Sequence, residues 1–387
     1  MAPRLPRAEG HRTRLCRDRR RRDRVRSETM SQSEKYRANP PAPGMAYMSA
    51  ELKKTIDLAE STVTDDFDER SWDMVVSLGL SRQLTTGRTL IELAEAGHDD
   101  IVVCTADLGR PTQVIGFGQK YPDRYFNFGI AERNMIGAAA GLATMGLTPV
   151  ISNYSFFLAL MGVENIRNDI CYTNLPVKMV GTHSGIAMGF YGTSHHCCED
   201  IGALRAIPNL TLMAPCDGTA LSSALRTNVK HPAPIYFRAG RGREAVVYDK
   251  EFDFRIGGSN TLREGRHATV LAIGNLVKAG LDAHDILKSE GIEITVVDMY
   301  SIRPLDVAAV RDAAKRGPIV SAEEANITGG FGAAIAEVIA EEGLGTRLTK
   351  VGMPDAYSVL GPPTHLYRHY GLDGEGVAAA VRRALKG

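Results

Sequence analysis

A regular alternation of short apolar segments with helical ones limits most what this chain can fold into. Segments 101–104, 148–152, 177–180, 210–213 and 235–237 are brief and mostly apolar, and helical spacing fills the intervals, most clearly from Glu132 through Thr144. That alternation is the rhythm of βαβ units, in which helices cover both faces of a mainly parallel sheet. A second set follows: segment 268–273, a helix over 277–288, segment 293–298, a helix from Asp306, segment 319–321 and a closing helix from Gly374. Between the sets, residues 248–265 are charged and poor in strand signal, which puts a boundary near 250. A chain of 387 residues also exceeds the usual size of one core. The expected fold class is therefore α/β, with two domains of mainly parallel sheet flanked by helices, at 46–250 and 251–387, after a leader and linker at 1–45.

The leader distorts the charge balance. Residues 1–30 carry eleven arginines against Glu9, Asp18, Asp23 and Glu28, so the remainder has 35 basic and 41 acidic residues and is mildly acidic. The run Arg19 to Arg22 is not followed by an apolar stretch, which argues against a secretory signal. An unstructured leader, or a translation start at Met30, is expected in preference to a nuclear or nucleic-acid-binding arm. Composition, at 44% hydrophobic and 24% charged, is that of an ordinary globular protein, and no apolar run approaches the roughly 20 residues of a membrane helix. Six cysteines do not make a spaced disulfide framework, so a cytoplasmic protein is expected, with no nucleic-acid or membrane partner.

The stretch Gly129-Ile-Ala-Glu132-Arg-Asn-Met opens a small-residue helix with a carboxylate. A charge at a helix N-terminus has a plain structural explanation in the macrodipole. Burying it beside Ala and Gly, however, costs several kcal/mol, about what an unpaired ion loses, unless something binds it. Four further segments accompany it along the chain: Thr105-Ala-Asp107-Leu, Gly181-Thr-His183-Ser, Gly192-Thr-Ser-His195 and Glu323-Glu-Ala-Asn-Ile-Thr-Gly-Gly-Phe-Gly332. In this order and spacing, across residues 75–387, they resemble the C-terminal half of transketolase, and also deoxyxylulose-phosphate synthase, a relative with the same cofactor.

The resemblance implies thiamine diphosphate. Glu132 matches the family's glutamate, which hydrogen-bonds the aminopyrimidine nitrogen N1′ and favours the tautomer that acts as internal base. Tyr154 and Phe157 fall where the family supplies an aromatic wall for that ring, although three core aromatics at a strand end would look the same. Asp107 matches an aspartate beside the cofactor; a helix N-cap is the structural alternative. His195 matches a catalytic histidine near the substrate's oxygens, and His183 one nearer its phosphate. Arg238 matches the phosphate-binding arginine, a role suited to its forked guanidinium, against a surface ion pair.

Two departures matter. Where the family commonly has an aspartate four residues before the histidine, this chain has Tyr191, and His196 replaces a glutamine. The aspartate helps to recognise a sugar hydroxyl, so Tyr191 points to an altered sugar or sugar-phosphate substrate. The adjacent His195, His196, Cys197 and Cys198 lack the spacing that lets ligands converge on zinc, and no metal site is expected on this chain. The family holds the diphosphate through Mg²⁺ on a Gly-Asp-Gly motif, and none occurs here. The resemblance therefore implies a split transketolase, in which an N-terminal-half subunit supplies the Mg²⁺ ligands and an α2β2 heterotetramer forms, transferring a two-carbon ketol unit between sugar-like substrates. The alternatives are the beta subunit of a 2-oxo acid dehydrogenase-like complex and a non-catalytic partner subunit.

Overall fold

The computed structural model describes residues 85–242 and 244–386. The expectations for the leader, and for helical periodicity beginning near Met48, lie outside the described residues.

The first section carries β1 (Ile101–Thr105), β2 (Tyr125–Asn127), β3 (Thr148–Tyr154), β4 (Lys178–Thr182), β5 (Thr211–Met213) and β6 (Ile235–Arg238). The second carries β7 (Asn260–Arg263), β8 (Ala268–Ala272), β9 (Ile294–Asp298), β10 (Ser301–Arg303), β11 (Ile319–Asn326) and β12 (Leu348–Met353). Two sheets result, in the orders β10-β5-β6-β4-β3-β1-β2 and β12-β11-β8-β9-β7, every pairing parallel except β10 with β5 and β7 with β9. This is the two-section α/β architecture that the alternation predicts. Two antiparallel strands depart from it: β7 lies inside the segment read as strand-poor, and β10, from the second section, extends the sheet of the first.

The central strands are apolar without interruption because helices bury both of their faces. Successive side chains enter opposite cores: Val103, Val150, Val180 and Phe237 join one, and Cys104, Ile151, Met179 and Tyr236 the other. Both cores continue across the section border, the first through Val270 and Ala272 of β8, the second through Leu271. Helix Glu132–Thr144 seats Met135, Ile136, Ala139, Ala140 and Ala143 on the sheet, a spacing that keeps one helical face inward. Among the described residues no helix is long and apolar enough to cross a membrane.

The topology also selects where a ligand can sit. From β1 the chain moves outward to β2, whereas from β3 it moves to β4 on the other side. Loops leaving the C-terminal ends of β1 and β3 thus diverge, the switch point at which open α/β sheets form a crevice.

Candidate active site

Four of the sequence-predicted residues stand along that edge. Asp107 is two residues beyond β1, Tyr154 is the last residue of β3, His183 follows β4 directly, and Glu132 opens the helix after β2. Asp107 and His183 both adopt φ of 57°, a left-handed conformation that a non-glycine residue holds only when its surroundings over-determine it. The Asp107 amide donates to Asn127 Oδ1 at 2.9 Å, and the same oxygen accepts from the Gly129 amide at 3.1 Å. Asn127 therefore ties the Asp107 turn to the loop that delivers Glu132.

Glu132 is 5% exposed, yet no donor among the described residues reaches its carboxylate. Beyond β3 the chain widens into π-helical stretches, Phe156–Met161 and Ile166–Cys171, a winding concentrated at functional sites. The helix of Glu132 lies against this segment, with Arg133 Nε donating to Asn165 Oδ1 at 3.0 Å.

An aromatic cluster fills the space beyond β3 and β4. Tyr154 has ring centroids 4.2 Å from His183, 6.0 Å from Phe157 and 6.4 Å from His195, while His195 lies 5.2 Å from Phe157 and 4.9 Å from Tyr191. His183 is buried, its Nδ1 3.0 Å from Thr182 Oγ1. His195 is half-buried, and Ser194 Oγ sits 2.9 Å from its Nδ1, which leaves Nε2 as the atom able to face a ligand. Burial lowers the pKa of His195 from its ordinary value, so a neutral imidazole is favoured at physiological pH. Tyr191 is half exposed, its ring against His195 at the outer edge of the cluster.

Arg238 corrects the sequence expectation. It is not in the channel but wholly enclosed, at 4% exposure, with Nε 3.1 and 2.9 Å from the two carboxylate oxygens of Asp200. Its Nη2 donates to the carbonyls of Cys197 and Glu324, at 3.1 and 2.9 Å. A guanidinium so engaged has no fork to offer a phosphate. Arg241, three residues on and missed in the sequence, is better placed. It is partly exposed, its Nη1 donates to Ala187 O at 3.2 Å, and its enclosed Nε has no partner among the described residues. Burial raises the Tyr154 phenol, Tyr191 adds to the rise and the Arg241 cation opposes it, which puts that cation within electrostatic reach of the cluster.

Among the described residues no three His, Cys, Asp or Glu side chains gather as a metal site would require. What the edge offers instead is a nearly buried carboxylate with no donor among the described residues, an aromatic wall, two imidazoles and a cation. That set suits a flat nitrogen heterocycle on the carboxylate side and an oxygen-rich substrate on the histidine side.

Residues 81–244 match the model of the transketolase pyrimidine binding domain, and residues 257–377 that of the transketolase C-terminal domain. A putative transketolase C-terminal section from Methanocaldococcus jannaschii is 40% identical over 302 residues, which are 78% of this chain and 95% of that one. The chain belongs to the transketolase family. A 1-deoxy-D-xylulose-5-phosphate synthase from Syntrophotalea carbinolica is 35% identical over 370 residues, 93% of this chain but 58% of that longer protein. A solved structure described as a split gene transketolase, inactive beta4 tetramer, is 36% identical with a TM-score of 0.71, covering 80% of this chain and 99% of that one. This transketolase-family chain thus has the extent of a C-terminal-half, split-gene subunit.

Proposed function

We propose that this chain is the C-terminal-half subunit of a two-chain ketol transferase, with a pyrimidine-facing domain over 46–250 and a C-terminal domain over 251–387. The observation that carries the reading is Glu132, a residue 5% exposed whose carboxylate meets no donor among the described residues, at the edge of a topological switch point. Such a group is costly to maintain unless a ligand engages it. The residues fit thiamine diphosphate: Glu132 would hold the aminopyrimidine nitrogen, Phe157 and Tyr154 would wall the ring, and Asp107 would stand beside it. When bound, that cofactor supplies a nucleophilic carbon able to take a two-carbon ketol unit from one sugar and pass it to an aldehyde.

This chain's own residues do the remaining work. Glu132 holds or returns a proton at the heterocycle nitrogen in a site shielded from bulk water. The rings of Tyr154 and Phe157 exclude water from the reacting carbon. His195 Nε2 donates to or accepts from a substrate hydroxyl or carbonyl oxygen, with Ser194 fixing the ring. His183 and Arg241 face the phosphate end of a sugar phosphate, and Tyr191 at the rim sets which sugar fits. The Mg²⁺ and diphosphate ligands are assigned to an N-terminal-half partner in a cytoplasmic α2β2 assembly, a requirement supported by the inactive state in which the split-gene relative was described as a β-only tetramer.

The test is reconstitution with an N-terminal-half subunit bearing Gly-Asp-Gly, followed by assay of ketol transfer from a ketose to an aldehyde, with pyruvate run in parallel. Ketol transfer lost in Glu132→Gln, with assembly intact, is expected. Turnover of pyruvate alone would replace this reading with the synthase-like or 2-oxo acid dehydrogenase-like one.

A further inference from the structure

The second section lacks any residue in the cluster of rings, yet one of its side chains reaches the turns that carry both histidines. Glu324, on β11, is 2% exposed. Its Oε1 accepts from the Ile186 amide at 2.7 Å and its Oε2 from Asn275 Nδ2 at 2.7 Å. The Tyr367 hydroxyl also bonds this carboxylate and lies 3.1 Å from Asn275 Nδ2. The carboxylate presses on Gly185, which has φ of 67°, and a Cβ there would sit 2.2 Å from Glu324 Oε1.

Gly185 in turn is bridged to Cys197 in both directions, with N to O distances of 2.9 and 2.8 Å. Gly185 stands two residues after His183 and Cys197 two residues after His195. Three further bonds close the junction: Arg238 Nη2, from β6, donates to the carbonyls of Glu324 and Cys197, and the Asn326 amide of β11 donates to Cys198 O at 2.8 Å.

We propose that Glu324 is a positioning residue of the site: by holding the Gly185–Ile186 turn from the second sheet, and through its bridge to Cys197, it sets where His183 and His195 stand. The inference rests on the reading of those histidines as substrate-facing. An acceptor-only carboxylate matches the three donors around it, whereas an amide at this position must turn an NH₂ group toward one of them. Burial raises the Glu324 carboxyl to about 7, and the Arg238 cation and the donors from Tyr367, Ile186 and Asn275 oppose the rise. Cys198 is the other titratable group facing it.

The experiment is histidine-resolved NMR titration of the full chain, wild type and Glu324→Gln. With the turn released, His195 regains solvent, and its midpoint is expected to rise toward the ordinary value of about 6.5. In the reconstituted complex, the KM for the donor ketose is expected to rise at least tenfold with kcat changed less than threefold. Asn275→Ala, which removes one donor at a distance from the turn, should move His195 in the same direction and keeps the test open if the glutamine variant fails to fold. An unchanged His195 titration, even with a lower melting temperature, would reduce Glu324 to a structural residue. Absence of ketol transfer in wild type would refute the proposed function, while the His195 titration would still judge the positioning role.

Discussion

The sharpest test of the site geometry contrasts Arg238 with Arg241. Removing the Arg238 side chain leaves Asp200, itself 0% exposed, as an uncompensated buried charge and frees two carbonyls that Nη2 now satisfies. The Tyr236 hydroxyl at 3.4 Å and the Ile201 amide at 3.0 Å are too few to replace a guanidinium. Breaking one side of such a pair costs about 3–5 kcal/mol. At about 1.6 °C per kcal/mol for about 300 residues unfolding together, Arg238→Ala should melt about 5–8 °C below wild type. Arg241→Ala loses one bond to Ala187 O from a partly exposed side chain, about 1 kcal/mol, but should raise the KM of a phosphorylated ketose more than tenfold. Differential scanning calorimetry of the full chain and initial rates of the reconstituted complex measure both. An Arg238→Ala variant that melts within 2 °C of wild type yet loses phosphate affinity would overturn the assignment and return the role to Arg238.

Three further outcomes are expected. Glu132→Gln should lower turnover by two orders of magnitude or more with the melting temperature unchanged, read by initial rates and calorimetry; near wild-type turnover would refute its role. Tyr191→Asp should shift preference among ketose donors toward common sugar phosphates by about 1–3 kcal/mol, some tenfold or more in relative kcat/KM, and an unaltered substrate panel would rule Tyr191 out. Burial raises the Asp298 carboxyl from 3.8 to about 7, opposed by bonds from Tyr248 and Cys216, so the folded chain keeps a proton there that the unfolded chain releases. The stability linked to that proton is fully present below the unfolded value and falls as pH rises toward 7. Asp298→Asn should therefore raise the denaturation midpoint at pH 8 and not at pH 4; an equal shift at both would show that the carboxyl does not titrate in this window.

The central strands were legible because burial on both faces leaves a continuous apolar run. Helix Glu132–Thr144 was legible because small and apolar residues run without a break in helical spacing behind a carboxylate at its start. The edges were not. β2 and β10 are three residues each, too short to show a periodic pattern, and exist because a neighbouring strand offers unpaired backbone groups. The two arginines show the same limit within the site: Arg238 and Arg241 share one motif, and only the position of Asp200, 38 residues earlier, decides which turns inward. Glu324 carried no signal beyond a doubled glutamate, since its partners at 186, 275 and 367 come together only in the folded chain.

The loan of β10 to the first sheet reaches further than its three residues suggest. It covers the outer backbone of β5, and Arg303 from the same strand donates to Arg205 O at 3.0 Å. A fragment ending near residue 250 would present β5 as a bare edge, the kind of surface that recruits other chains into aggregates. The two sections are thus neither separable modules nor free to swing about a hinge. They should unfold together in one calorimetric transition, and a gene encoding the first section alone would yield a protein prone to self-association.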